Sequence, residues 1–410
     1  MNKIFQNLMR VARRLTRAGR LRDATRAIPR AVSGASAVEP RATNVDAGAQ
    51  PRDAVEPKVL APTPNLVDHT SLVATVGIDA ATNAGVPTAF VDAAPIAGVS
   101  SPPNAIPLGA PVEEEAVAKL GEGEFVSGSY QHVSQNHSYK LYLPPGHTGR
   151  QLPLVVMLHG CSQDPDDFAA GTGMNDVARE ENFFVLYPAQ SRRANLSGCW
   201  NWFKHNDQQR DGGEPAMIAA LTHAVMEQHD IDPRRVFIAG LSAGGAMAAI
   251  VAEAYPEIFA AVGVHSGLRR GAASSAFEAF TVMRNGGIRR GGVERAGGAG
   301  QANPVPTIVF HGDRDQTVHP RNGEQVITAV MGDAPGARVE LGVSPQGRHY
   351  TRSTHHDDNG NAVAEHWLVH GAGHAWSGGN AEGSYTDAKG PDATRAMLRF
   401  FFERPLGLLH

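Results

Sequence analysis

From about residue 122 onward, short apolar runs alternate with stretches of helical periodicity, which predicts a mostly parallel sheet covered by helices on both faces. Leu154-Val155-Val156-Met157-Leu158, Phe183-Phe184-Val185-Leu186-Tyr187, Val236-Phe237-Ile238-Ala239, Ala260-Ala261-Val262-Gly263-Val264 and Pro306-Thr307-Ile308-Val309-Phe310 carry no charge, as expected of strands buried on both sides. Helices are predicted over about 166–180, 213–229, 321–331 and 391–403. Two hairpins complete the pattern. One covers Tyr130 to Leu143, and the other joins Arg348–His356 to Ala362–Leu368 through the turn signal Asp357-Asp358-Asn359-Gly360. Residues 268–302 read as a Gly-rich insertion with arginines near its end. One catalytic-sized α/β domain over 122–410 accounts for all of this.

The N-terminal part follows other rules. Ile4, Leu8, Val11 and Leu15 recur at helical spacing on an Arg-rich background that runs to Arg30, which predicts a basic amphipathic helical segment over 1–30. Such a segment suits an anionic surface, either a membrane or a lipid-coated granule; a solvated helix that caps the domain is the plainer alternative. Residues 31–121, rich in Ala, Pro, Val, Thr and Asn with no sustained period, are predicted to be a disordered linker. No apolar core follows the first basic residues as it would in a secretory signal, so a cytoplasmic or granule-associated location is expected.

A net charge of −4 gives no global case for nucleic-acid binding. No stretch approaches the roughly 18 continuous apolar residues of a membrane span. Two cysteines, Cys161 and Cys199, exclude a disulfide-dense scaffold; one bridge between them and two buried thiols are equally compatible with the sequence. No spacing resembles a zinc site, and no metal or organic cofactor is expected.

The candidate chemistry begins at Gly240-Leu241-Ser242-Ala243-Gly244, between a strand pattern and a helix pattern. In strand–turn–helix context, Gly-x-Ser-x-Gly is a nucleophile elbow with its serine at the apex of a sharp turn. A serine hydroxyl needs a general base, and the base needs an orienting carboxylate. On this type of sheet the acid and then the histidine follow the serine, each after a strand end. Asp315, in His311-Gly312-Asp313-Arg314-Asp315, is the favoured acid, with Asp313 as the alternative. His374, in His370-Gly371-Ala372-Gly373-His374, is the favoured base over His370, which reads as structural. The oxyanion hole is expected from the backbone N–H of Ala243 and from that of Cys161, after Leu158-His159-Gly160. Trp200 and Trp202, in Cys199-Trp200-Asn201-Trp202-Phe203, are candidates for an apolar substrate-pocket wall, with core packing as the alternative.

His159-Gly160-Cys161-Ser162-Gln163, Cys199–Phe203, Gly240–Gly245, Val264-His265-Ser266-Gly267-Leu268 and Gly373-His374-Ala375-Trp376-Ser377-Gly378-Gly379, in this order, resemble the polyhydroxybutyrate depolymerase family of esterases over about residues 122–405. The resemblance implies an α/β-hydrolase fold and hydrolysis of carboxylic esters, typically short-chain polyhydroxyalkanoates. Related members act on feruloyl or acetyl esters of plant polysaccharides. It places nucleophile, acid and base on Ser242, Asp315 and His374. Members that attack solid polymer outside the cell usually carry an export signal and a C-terminal polymer-binding module. Neither is read here, which leaves extracellular action as the alternative to granule-associated action. A serine peptidase of the same fold is a rival within enzymes, and an inactive granule-binding protein is the rival outside them.

Overall fold

The computed structural model describes residues 121–287, 304–332, 336–357 and 359–407. The expected helical segment 1–30 and nearly all of the expected linker 31–121 lie outside the described residues, as do residues 288–302 of the expected insertion.

Among the described residues, the main sheet has ten strands in the order β1-β2-β4-β3-β5-β6-β7-β10-β9-β8. These are β1 (Glu124–His132), β2 (Gln135–Leu143), β3 (Leu152–Leu158), β4 (Phe184–Pro188), β5 (Ile231–Leu241), β6 (Ala261–His265), β7 (Thr307–Gly312), β8 (Arg338–Val343), β9 (His349–His356) and β10 (Ala362–Val369). The central run β4-β3-β5-β6-β7-β10 is parallel. Antiparallel pairs β1–β2, β2–β4, β10–β9 and β9–β8 flank it on either side. The mostly parallel sheet expected from the apolar runs is therefore what the chain forms.

Alternation along each strand divides the core in two. Leu154, Val156, Leu158, Val236 and Ile238 pack on one face with α3 (Gly213–Gln228) and α4 (Ala243–Ala254). Val155, Met157, Phe237 and Ala239 face the other side with α1 (Pro165–Thr172), α2 (Met174–Glu181) and α7 (Ala393–Phe402). All these strand residues except the chain ends are fully enclosed, and burying each large side chain contributes roughly 1.5–3 kcal/mol. The helices α5 (Ala276–Asn285) and α6 (Arg321–Met331) follow β6 and β7.

Three differences from the sequence reading have local causes. The helix expected over 166–180 is two helices, split at Gly173, whose φ of 62° ends one and begins the next. The first hairpin strand starts at Glu124 and pairs all the way to Leu143, earlier than expected. β8 was not expected; its Arg338-Val339-Glu340-Leu341-Gly342-Val343 leaves three apolar side chains exposed, so it lacks the burial that marks the central strands.

Candidate active site

Parallel strands end at one edge of the sheet, so whatever follows β3, β5, β7 and β10 meets there. Ser242 follows β5 directly, Asp315 follows β7, His374 follows β10, and the loop His159–Gln163 follows β3. The sequence order Ser, acid, His is thus converted by sheet order β5-β6-β7-β10 into three loops on a shared rim.

Ser242 adopts φ 59° and ψ −118°, a conformation that costs a non-glycine residue on the order of 1–3 kcal/mol and persists only when its surroundings hold it. They do so closely. Its N–H donates to His265 O at 2.8 Å, and its carbonyl accepts from Ala246 N–H at 2.9 Å. The flanking glycines are required by packing: a Cβ on Gly240 would sit 2.4 Å from the Gly244 carbonyl carbon, and one on Gly244 would sit 2.0 Å from Leu158 O. The serine itself is 7% exposed.

The Asp315 carboxylate is enclosed and held by several donors. Oδ1 accepts from Thr317 N–H and Val318 N–H, each at 2.8 Å, and Oδ2 lies 2.6 Å from His374 Nδ1. His311 Nε2 stands 3.5 Å from the same Oδ2 while donating to Val318 O at 2.8 Å. Burial alone would raise the Asp315 pKa, but the positive field of His374 and the hydrogen bonds from His311 and His374 outweigh it, and the carboxylate is held well below its ordinary range. The two alternatives considered from sequence also find each other. His370 Nδ1 lies 3.1 Å from Asp313 Oδ2, and Asp313 Oδ1 accepts from Gly371 N–H at 2.7 Å. Exposure separates the pairs: the side chains of His370 and Asp313 are 38% and 33% exposed, those of His374 and Asp315 10% and 0%. The outer pair fastens the two loops together, assisted by Asp313 N–H to Val369 O at 3.1 Å and Arg314 N–H to Ala372 O at 3.0 Å. Gly312 makes the approach feasible, since a Cβ there would meet Ala372 O at 2.4 Å.

His265 links Ser242 to the loop after β10. Besides receiving Ser242 N–H on its carbonyl, it accepts Ser377 N–H on Nε2 at 2.9 Å and stacks on Trp376 with centroids 5.0 Å apart. Complete burial, and then the charges of His311 and His374, push its pKa well down, so the ring is neutral; with Nε2 accepting, Nδ1 carries the proton toward Ser266 Oγ at 3.2 Å.

In the loop after β3, Gly160 passes against Ser242: a Cβ built on it would lie 3.7 Å from Ser242 Cβ. Ala243 opens α4, and a helix leaves its first N–H groups without intrahelical acceptors. Cys161 is joined to Cys199 by a disulfide. In the loop-closure account, closing a ring of this length removes unfolded-state entropy equivalent to roughly 4 kcal/mol. Trp200 does not wall a pocket. It is 0% exposed, and its indole N–H donates to His159 O at 3.1 Å, so it braces the loop after β3 from within the core; Trp202, at 4%, packs in the same core. The expectation of an apolar substrate wall fails because both indoles turn into the core.

Residues 137–339 match the family model described as Esterase PHB depolymerase. A poly(3-hydroxyalkanoate) depolymerase C of Paucimonas lemoignei is 33% identical over 227 residues, 54% of this chain and 54% of that protein. Over residues 137–339, just under half of its length, the chain is similar to the PHB depolymerase family of esterases. Feruloyl esterase B of Thermothelomyces thermophilus is 28% identical over 187 residues, covering 43% of this chain and 63% of that protein. The chain spans about half the length of the family's depolymerases that it matches, 54% and 50% of the two. An acetyl xylan esterase from Aspergillus awamori superposes with a TM-score of 0.55 at 19% identity, over 68% of this chain and 99% of that one, which shows the α/β-hydrolase fold. Among the described residues no helix is long and apolar enough to cross a membrane.

Within this family fold, one group at the site gave no sequence signal. Glu214, at the start of α3, accepts Asn201 N–H at 2.6 Å and the side-chain amides of Asn201 and Gln190 at 2.5 Å each. Gln190 N–H donates in turn to His159 Nε2 at 3.1 Å, so this carboxylate holds the segments around the loop after β3 in place. In sequence a glutamate in a first helical turn reads only as a favourable dipole partner. Burial, and then the neighbouring Asp207 charge, raise its pKa to about 7. A group whose folded pKa lies above its unfolded value destabilises the fold as pH rises between the two, here by up to about 1.4 kcal/mol per pH unit between roughly 4.5 and 7. His265 and His366, kept neutral by burial, act in the opposite sense over part of that window. The difference between parent and variant is therefore the quantity to measure. In urea titrations at pH 5 and pH 8, Glu214→Gln is expected to gain stability relative to the parent as pH rises; an unchanged difference would refute the assignment.

Proposed function

We propose that the chain is a serine esterase that hydrolyses carboxylic esters through an acyl-enzyme, with short-chain polyhydroxyalkanoate, in particular poly-3-hydroxybutyrate or its oligomers, as substrate. The observation that carries the reading is the enclosed Asp315–His374 pair at 2.6 Å on loops beside the strained Ser242 elbow. A buried carboxylate on Nδ1 leaves Nε2 free to act as base, which is the tautomer the chemistry needs.

Ser242 Oγ attacks the ester carbonyl carbon, and its proton passes to His374 Nε2. Asp315 Oδ2 retains the Nδ1 proton in its hydrogen bond and stabilises the imidazolium. The carbonyl oxygen, now negative, receives the N–H groups of Ala243 and Cys161; each such donor is worth about 10²–10³ in rate. Collapse of the tetrahedral adduct breaks the C–O bond of the alcohol, which leaves with the proton from His374. Water then attacks the acyl-Ser242 ester by the same route and releases the acid.

The polyester substrate is supported by the family match and by the depolymerase relatives. A second reading, feruloyl or acetyl esters of plant polysaccharides, is supported by relatives carrying those names. Initial rates on 3-hydroxybutyrate oligomers, amorphous polymer, methyl ferulate and acetylated xylan separate the two. Preferential turnover of the hydroxybutyrate series is expected; preference for ferulate or acetylxylan would replace the polyester reading with the second one.

A further inference from the structure

We propose that Tyr385 is the specificity-determining wall of the alcohol side of the cleft, and that it selects esters whose alcohol part is large enough to lie against its ring. This inference rests on the esterase reading and names the part of the substrate that the site measures.

Tyr385 bridges the two catalytic loops. Its ring stands edge-on to His374 with centroids 6.4 Å apart, and its hydroxyl lies 3.3 Å from Ser162 Oγ. The Ser162 hydroxyl donates to Cys161 O at 2.6 Å, which uses its only hydrogen, so Tyr385 is the donor to Ser162. A chain of hydrogen bonds thus runs from the tyrosine to the carbonyl of the residue whose N–H faces the oxyanion.

The ring is held there at a cost. Tyr385 has φ 56°, a left-handed conformation that is uncommon for an aromatic residue. The short parallel pair β11 (Trp376–Ser377) with β12 (Thr386–Asp387) fixes one side, with Trp376 N–H donating to Tyr385 O at 2.6 Å. On the other side, Ser384 is clasped by Gln163 Nε2 to its carbonyl at 3.1 Å and donates its own N–H to Asp167 at 2.9 Å. Strain of this kind survives only where both flanks are anchored, and it aims a side chain that an ordinary turn would direct elsewhere. Despite these anchors the residue remains 39% exposed. A large aromatic surface left open beside a catalytic base is available to a ligand.

The subsite follows from the chemistry. The leaving alcohol must lie next to His374, which returns the proton to it, while the carbonyl oxygen points at Cys161 and Ala243. A ring that spans from His374 to Ser162 borders the alcohol and the oxyanion and not the acyl chain. The alcohol portion of a hydroxyacyl oligomer, or an aromatic alcohol, reaches it; a methanol leaving group does not.

The test uses two ester series with the full chain: butyrate esters of methyl, butyl and benzyl alcohol, and methyl esters of acetate, butyrate and hexanoate. Tyr385→Gly removes the ring and accepts the positive φ without strain. It is expected to lower kcat/KM for benzyl relative to methyl butyrate by about fivefold or more, chiefly through KM, while the ratios within the acyl series stay within twofold of the parent. Tyr385→Phe keeps the ring and should keep the benzyl preference. The proposal is overturned if Tyr385→Gly leaves the alcohol series unchanged, if it shifts the acyl series instead, or if Tyr385→Phe behaves like Tyr385→Gly. A parent protein that hydrolyses neither series refutes the esterase reading itself.

Discussion

Ser242→Ala is expected to lower kcat on any ester the protein hydrolyses by about a million-fold, with KM nearly unchanged, because the nucleophile acts as a unit with its base. The residual rate should be that of an oxyanion hole acting on water alone. Thermal stability should change little: alanine fits the space of a serine and meets the same backbone strain at φ 59°. Active-site titration with an organophosphate checks the assignment independently, since the parent should be labelled at Ser242 and the variant not at all. A variant that keeps even one hundredth of the parent's rate would remove Ser242 from the mechanism.

Asp315→Asn is the second large effect. The amide that replaces Oδ2 or Oδ1 would face His374 Nδ1 and two backbone donors with a donor of its own, which turns the imidazole toward the unproductive tautomer. A fall in kcat of about ten-thousand-fold is expected. Asp313→Asn, two residues away, breaks only the exposed contact to His370 and the Gly371 clasp, and should cost less than about tenfold because exposed ion pairs are weak. Parallel measurement of kcat for the two variants discriminates them; reversal of the order would hand the acid role to Asp313. The pH response differs too. Because the Asp315 pKa is depressed in the folded protein, the stability it contributes is present above its unfolded value near 3.8 and is lost as pH falls through and below that value. Asp315→Asn should therefore flatten the acid limb of the stability curve.

The central sheet was legible in the sequence because strands buried on both faces must be apolar at every position, and Leu154–Leu158 and Val236–Ala239 are. The residues expected to carry the chemistry were placed by a related argument: Ser242 directly follows β5, and Asp315 and His374 lie in the loops after β7 and β10, so locating each strand locates its loop. What escaped reading depends on contacts between distant segments. Trp200 looked like a pocket wall since an aromatic cluster has no intrinsic direction; its burial comes from the disulfide and from His159, which the sequence separates from it by many residues. Glu214 becomes a brace only once Asn201 and Gln190 fold over it. Tyr385 sits immediately before a strand two residues long, far too short for any periodicity to register. The sequence favoured Asp315 and His374, and the difference in burial between the Asp315–His374 and Asp313–His370 pairs appears only once the loops are folded.

The bond between Cys161 and Cys199 also makes a closed ring of the intervening 38-residue separation, and β4, α1 and α2 lie within that ring. Ser242, Asp315 and His374 all come after Cys199, whereas Cys161 closes the ring at its other end. A single backbone cut anywhere inside the ring would leave His159, Gly160 and Cys161 in one covalent molecule with Ser242, Asp315 and His374. Within the ring, only a cut combined with reduction would separate Cys161 from those three residues.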